Sequence, residues 1–384
     1  SEDLSLPQTV TMQFALLLLL VVAASAEVAP LLKAKEAVKG SYIVKLKDSV
    51  DVSLLADSPI LSVLGGRVER RYKRVLHGFA GSLSDAALNF VRNSGLVEYV
   101  EEDGVARKAY SWGIDRVNQH TTTLDNNKDY TTGNLGAGAN VFVIDTGVDP
   151  NNPQFGGRAA VAANYVTGGK PSNGEDCDGH GTHCSGTIGS IDYGVAPGVN
   201  IWGVRVLDCQ GSGTWSAVIA GCDFAADSTL PLKVASLSIG GGVSTSVNDA
   251  IQRMIDSDND VAVTVAAGNE DGDACNSSPA SAPNALTVGA SDDADVRAYF
   301  SNFGSCVDIF APGVAITSTV LNNGVASWAG TSMATPHVAG VLALNRVANP
   351  SLTAAQIMTR VKSAADTGLI SDAQGSDNNM LYSA

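Results

Sequence analysis

Apolar, largely β-branched runs recur along the chain after Trp112: ANVFVIDTG, VNIWGVRVL, VASLSIGG, VAVTVAAGN and ALTVGAS. They are continuous rather than alternating, as strands buried on both faces must be. Between most of them lie helix-like stretches such as WSAVIAGCDFAAD and VNDAIQRMIDS. This alternation predicts an α/β fold, a mostly parallel, doubly wound sheet with helices on both faces. Sites in such folds form beyond the carboxyl ends of the strands. Glycines cluster just after several of these runs, where chain and ligand approach closely.

The pattern before Trp112 is different. SYIVKLK, from Ser41, alternates like a half-buried strand, and DAALNFVRNS is a helix followed by a strand in LVEYV. RVERRYKRVLHGFAGSLS is expected to hold one strand with basic residues on one side. Together these predict a small α+β domain. The charged stretch EEDGVARKAY then makes an exposed joint, where proteolysis is easiest.

A chain of 384 residues, 45% hydrophobic, has room for both domains. Its net charge of −15 falls within residues 109–384, where 26 Asp and Glu face 11 Lys and Arg; residues 1–108 balance at 13 each. Such an acidic body repels nucleic acid and anionic membranes, so neither is expected as a partner. MQFALLLLLVVAASA, Met12 to Ala26, has the length and small-residue end of a secretory leader, though no Lys or Arg follows Met12. The expected boundaries are therefore 1–26 for upstream residues and leader, 27–108 for the small domain and 109–384 for the large one. All six cysteines lie in the last segment, which fits a secreted protein in an oxidising compartment.

Three motifs stand at element ends. VFVIDTGVDP puts Asp145 at the end of a buried strand, DGHGTHCSGT puts His180 at a helix start, and GTSMATPHVAG does the same for Ser332. Pro336 is expected early enough in the helix that Ser332 starts for its missing N–H to cost little. A serine hydroxyl needs a base; histidine serves near neutral pH, and a carboxylate fixes its tautomer and steadies the imidazolium. Each residue alone has a plainer reading: Asp145 as a cap, and His183 and His337 as packed side chains. Asp149 falls in a turn. His180 and His183 lack the carboxylate spacing of a zinc protease helix.

With VAAGN and its Asn269, these motifs mark the chain from about Ala109 onward as resembling the subtilisin-like serine proteases of the proteinase K group. The order Asp, His, Ser agrees with that family and differs from the α/β-hydrolases. The resemblance implies a secreted endopeptidase acting as a monomer on proteins or peptides. Asp145 would orient His180, His180 would act as base and then acid, and Ser332 would attack. Asn269 would hold the oxyanion, a donor worth about 3 kcal/mol in a subtilisin itself. Gly211, Ser212 and Gly213, with Ser238, Ile239 and Gly240, would grip an extended substrate by strand addition. The specificity pocket carries no buried acid, which implies broad preference leaning to apolar and aromatic side chains, with Glu270 at its rim.

The family pattern further implies structural calcium on the carbonyls of Pro283 and Ala285 and the carboxylate of Asp308, a donor set suited to a hard cation. The cysteine pattern, as in aqualysin-type members, implies Cys177–Cys209 and Cys275–Cys306, each worth about 2–4 kcal/mol. Cys184 and Cys222 are left as a third bridge or as free thiols. Asn276 begins a glycosylation sequon beside the pocket, where occupancy is not expected. Residues 27–108 resemble an inhibitor-type propeptide of ferredoxin-like fold, acting as intramolecular chaperone and inhibitor until a cut between about Val105 and Ser111. The rival reading is a catalytically silent relative acting as a binding protein.

Overall fold

The computed structural model describes residues 28–34, 37–104, 111–125, 133–167, 171–256 and 260–383. The expected leader lies outside these residues, as do residues 105–110, where the cut is expected. The chain divides after Lys108 into two compact units.

The first unit has strands β1 (Leu31–Leu32), β2 (Ala37–Leu46), β3 (Gly66–Tyr72), β4 (Gly78–Leu83) and β5 (Val97–Gly104), in the sheet order β1-β5-β2-β4-β3. Helices α1 (Ser53–Ala56), α2 (Pro59–Val63) and α3 (Asp85–Arg92) complete it. Leaving aside β1, the β-α-β-β-α-β order with β2 and β4 central, flanked by β5 and β3, is a ferredoxin-like sandwich. Alternation places Val44 and Leu46 inward, where they meet Phe79, Val91 and Val100 in one core. Ser84 caps α3 by accepting from the Ala87 amide, with Asp85 in the first turn and Arg92 in the last.

The basic segment was expected to form one strand and forms two. Residues 73–77, lacking apolar alternation, make the turn between β3 and β4. Its arginines lie on a solvated face, and two are paired within the unit, Arg67 with Glu69 and Arg71 with Asp57. Exposed pairs of this kind contribute little to stability.

The second unit holds α4 (Trp112–Val117), β6 (Asn140–Asp145), β7 (Ala159–Asn164), α5 (His180–Gly189), β8 (Asn200–Arg205), α6 (Trp215–Asp227) and β9 (Lys233–Leu237). There follow α7 (Thr245–Asp256), β10 (Ala262–Ala266), β11 (Leu286–Ser291), β12 (Ile309–Pro312) and the hairpin β13 (Ile316–Val320) with β14 (Gly324–Trp328). The chain continues through α8 (Thr331–Ala348), α9 (Ala354–Ala364), β15 (Asp366–Thr367) and β16 (Asn379–Met380). Among the described residues nine strands form one sheet in the order β15-β16-β12-β11-β10-β9-β6-β8-β7, parallel except for β15. The five continuous runs became β6, β8, β9, β10 and β11, each fully or nearly fully buried.

The chain winds outward from β6 to β7, returns through β8, then crosses to β9 on the other side of β6. This reversal puts the carboxyl end of β6, and Asp145 with it, at the switch point where α/β sheets bind ligands. Helix α8 packs across β6, β9, β10, β11 and β12, and is buried along most of its length. The short α4 is tied down by Arg116, whose guanidinium bonds both oxygens of Asp295 at 2.9 Å in the interior. Among the described residues no helix is long and apolar enough to cross a membrane.

Candidate active site

Asp145 ends β6 and is fully buried. His180 begins α5, and its Nδ1 lies 2.7 Å from Asp145 Oδ1, an oxygen that also accepts from the Thr146 amide. Because a carboxylate only accepts, Nδ1 carries the proton and Nε2 keeps its lone pair. Burial alone would lower the His180 pKa, but the adjacent Asp145 charge and hydrogen bond outweigh it and hold the imidazole well above 6.5. Burial also pushes the neighbouring Cys184 thiol up, so at neutral pH the sulfur adds no charge beside the ring.

The loop before His180 is organised by a residue that the motif reading passed over. Asp176 is buried and accepts five hydrogen bonds, from the Thr146 and Thr182 hydroxyls and the amides of Asp178, Gly179 and Thr182. Thr146 in turn accepts from the Gly181 amide, so the end of β6 and the start of α5 are locked together. Gly179 takes φ +107°, a conformation that side chains oppose, to turn the chain into the helix. Only the buried carboxylate in DCDGHG signalled this hub, and an isolated aspartate in a loop carries many readings.

Ser332 is the second residue of α8. Its Oγ donates to the carbonyl of Ser238, just past β9, and Ser238 Oγ donates back to the Ser332 carbonyl at 3.0 Å. Cys184 Sγ bridges the two site helices, 4.0 Å from His180 Nδ1 and 3.4 Å from the Ser332 carbonyl. Pro336 sits inside α8 rather than in its first turn. Its ring removes the amide that would bond the carbonyl four residues earlier, which is Ser332. That carbonyl is thereby released to accept from Ser238 and Cys184. The proline costs the helix a bond and ties the serine sideways to β9 and α5.

Asn269 follows β10. Its Oδ1 accepts from the Thr331 amide and hydroxyl at 2.9 and 3.0 Å, which turns Nδ2 the other way as a donor. Asn269, Glu270 and Ser332 line one cavity together with Ile239 and Gly240. An adjoining cavity is lined by His180, Asp178, the edge Gly211–Gly213 and Ser238–Gly242, with Trp215 beyond. Both expected groove edges therefore flank the Ser332 and His180 side chains. Gly268, at φ +103°, has no room for a Cβ, which would lie 2.3 Å from Asn302 Nδ2 and 2.7 Å from Glu270 Oε2. Asn302 receives the Glu270 and Gly272 amides on one atom and bonds the Glu270 carboxylate with the other, so it shapes this wall. Asn276 is exposed on the same cavity.

The two other histidines of the site motifs, His183 and His337, are held apart from this chemistry. His183 stacks on Trp328 and points Nε2 at the Ile316 and Ala326 carbonyls; His337 bonds the Met333 carbonyl. Burial pushes each down to about 4, so both are neutral at neutral pH. Asp149 lies in its turn, its amide bonded to Thr182 Oγ1.

Two disulfides close, Cys177–Cys209 and Cys275–Cys306. The first joins the His180 loop to the Gly211–Gly213 edge, over a buried Arg205 whose guanidinium reaches the carbonyl of Pro171 and the sulfur of Cys177. A third bridge does not form: Cys184 and Cys222 are buried free thiols, on helices that pack respectively with α8 and α7.

Residues 136–380 match the subtilase family model and residues 41–108 the peptidase inhibitor I9 model. The chain belongs to the subtilase family. It is similar to alkaline serine protease ver112 of Corniculantispora psalliotae, at 45% identity over 83% of this chain and 84% of that one. The extracellular serine proteinase of Thermus sp. (strain Rt41A) is 39% identical over 94% of each chain. Alkaline serine exoprotease A of Vibrio alginolyticus is 42% identical over 83% of this chain, which spans 60% of that relative's length. Among solved structures, a cold adapted subtilisin-like serine proteinase aligns with TM-score 0.69 and 46% identity, over 72% of this chain and 99% of that one. This subtilase is thus a serine protease with an inhibitor-type propeptide domain.

Subtilases commonly bind structural calcium. The expected ligand Asp308 does not fit that role here. Its Oδ1 lies 2.6 Å from the Lys362 ammonium and its Oδ2 accepts the Thr287 amide at 2.9 Å. A divalent ion needs several free oxygens, and the Lys362 ammonium already holds this one.

Two outcomes are expected from this geometry. Because the base must be neutral, kcat/KM should rise with pH along a limb centred above 6.5, and Asp145→Asn should move that midpoint down and cut the plateau about 10⁴-fold. The same pair stabilises the fold fully below the unfolded pKa, and that increment is lost as pH rises through the raised folded value. Asp176→Asn, which sets an amide against five donors, should cost about 2–3 kcal/mol in unfolding measured on a Ser332→Ala background.

Proposed function

We propose that Ser332, His180, Asp145 and Asn269 hydrolyse peptide bonds through an acyl-enzyme. The observation that carries this reading is the 2.7 Å bond from His180 Nδ1 to a buried carboxylate, with Ser332 across a shared thiol. Ser332 Oγ attacks the scissile carbonyl carbon while its proton passes to His180 Nε2. The negative oxygen that forms is met by Asn269 Nδ2–H and by the Ser332 amide, one of the leading amides of α8 that lack an acceptor within the helix. His180 then protonates the departing amine as the C–N bond breaks. Water repeats the sequence in reverse and releases the acid.

Substrates are protein or peptide segments that extend along Gly211–Gly213 and Ser238–Gly240, adding a strand between the two edges. The lining of the cavity beside Ser332 includes Ala266, Gly240 and Gly268, which suits apolar and aromatic side chains. Glu270, exposed at its rim, admits lysine as well. The protein is secreted, in keeping with its propeptide and its relatives. Residues 27–108 act as chaperone and inhibitor of residues 109–384, and cleavage falls between about Val105 and Ser111. A parallel sheet of distant strands folds slowly, which gives a templating domain its use.

Asn269→Ala should lower kcat by about 10²–10³-fold with KM little changed, a range taken from a subtilisin rather than from this chain. Ser332→Ala should leave the full chain uncut when expressed alone. In a peptide series differing at the residue before the scissile bond, Glu270→Gln should reduce cleavage after lysine severalfold and spare cleavage after phenylalanine. Equal cleavage after lysine in both enzymes would remove Glu270 from the account.

A further inference from the structure

The cluster around Asp308 is more than a poor calcium site. Lys362, in the last turn of α9, places its ammonium 2.6 Å from Asp308 Oδ1 and 2.8 Å from Asp377 Oδ2. Lys362 and Asp308 are partly sheltered, 35% and 26% exposed, while Asp377 is exposed at 55%. Around them the backbone is already closed: the Asp308 amide bonds the Thr287 carbonyl, the Asp377 amide bonds the Val307 carbonyl, and Asn379 Nδ2 bonds the Asp308 carbonyl. The ammonium thus joins three pieces of chain that meet nowhere else in sequence: the start of β12, the segment leading into β16, and the end of α9.

We infer that the Lys362 ammonium is the resident cation of this site, joining Asp308 and Asp377 in the place of a divalent ion. Two carboxylates facing each other across this gap need a counter-charge, and a tethered one is supplied with the fold. Lysine suits the position as a compact point charge with three donors, at a helix end that favours cations. A divalent ion entering beside it would meet a like charge and one oxygen already committed to the Thr287 amide. The consequence is that this corner of the protein holds together without added metal, whatever ions bind elsewhere on the chain.

The test uses the full chain in a Ser332→Ala background, which prevents self-digestion. The readout is the rise in Tm between excess chelator and excess calcium chloride, with calcium stoichiometry from titration calorimetry. Asp308→Asn should leave that rise as it is in the parent, since calcium held elsewhere contributes equally to both. Lys362→Met should gain one calcium equivalent and an additional rise in Tm, both absent from the Asp308→Asn, Lys362→Met double variant. Lys362→Arg, which keeps the charge, should behave as the parent. Loss of the parent's calcium response in Asp308→Asn would overturn the proposal, because calcium would then sit at Asp308 despite the lysine. Failure of Lys362→Met to gain a site would also overturn it, because the ammonium would not be what excludes the ion.

Discussion

A carboxylate buried against one nitrogen of an imidazole is the constraint from which the site of this subtilase follows. Asp145 has no solvent to share its charge, so that charge is felt by His180. The bond fixes the tautomer, aims the free nitrogen outward and sets the pH at which the ring becomes a base. Burying an ion is costly unless it is paired. Asp145 is affordable only because it ends a fully buried strand at the point where the sheet reverses direction, with α5 starting alongside.

The rest of the site fixes the elements that carry that pair and Ser332. Asp176 gathers five donors that hold the loop entering α5, and Cys177–Cys209 ties the loop to the Gly211–Gly213 edge. On the other side, Pro336 gives up a helical bond, and the carbonyl so released is held by Ser238 and Cys184. Thr331 turns the Asn269 amide. In each case a local sacrifice in secondary structure is offset by a bond that crosses between elements, as preorganised sites require.

Much of this was legible in the sequence because it depends on local order. Continuous apolar runs predicted the parallel sheet, and Asp145, His180 and Ser332 could be placed at element ends from their own neighbours. What escaped depended on contacts between distant segments. Asp176 looks like any loop aspartate until Thr146 and Thr182 fold against it. Pro336 was expected early enough for its missing N–H to cost little, but the helix begins five residues before it, at Thr331, so the Ser332 carbonyl loses its helical donor. The basic run of the first unit read as one strand, since arginines on a solvated face hide the turn at residues 73–77. Asp308 read as a calcium ligand from its motif, and nothing near it in sequence announced Lys362, 54 residues on. Cys184 and Cys222 were ambiguous for the same reason: pairing is a matter of which helices pack together.

The subtilase therefore combines a site built on a family plan with electrostatics of its own, a strongly acidic body in which buried or half-buried cations such as Arg116, Arg205 and Lys362 each hold particular loops. The most direct measurement of the central claim is covalent labelling of the mature enzyme with a fluorophosphonate, followed by peptide mapping. The account predicts a single adduct on Ser332, formed faster as pH rises past 6.5 and lost in His180→Ala. An adduct on another serine, or labelling of Ser332 that persists at full rate without His180, would contradict it.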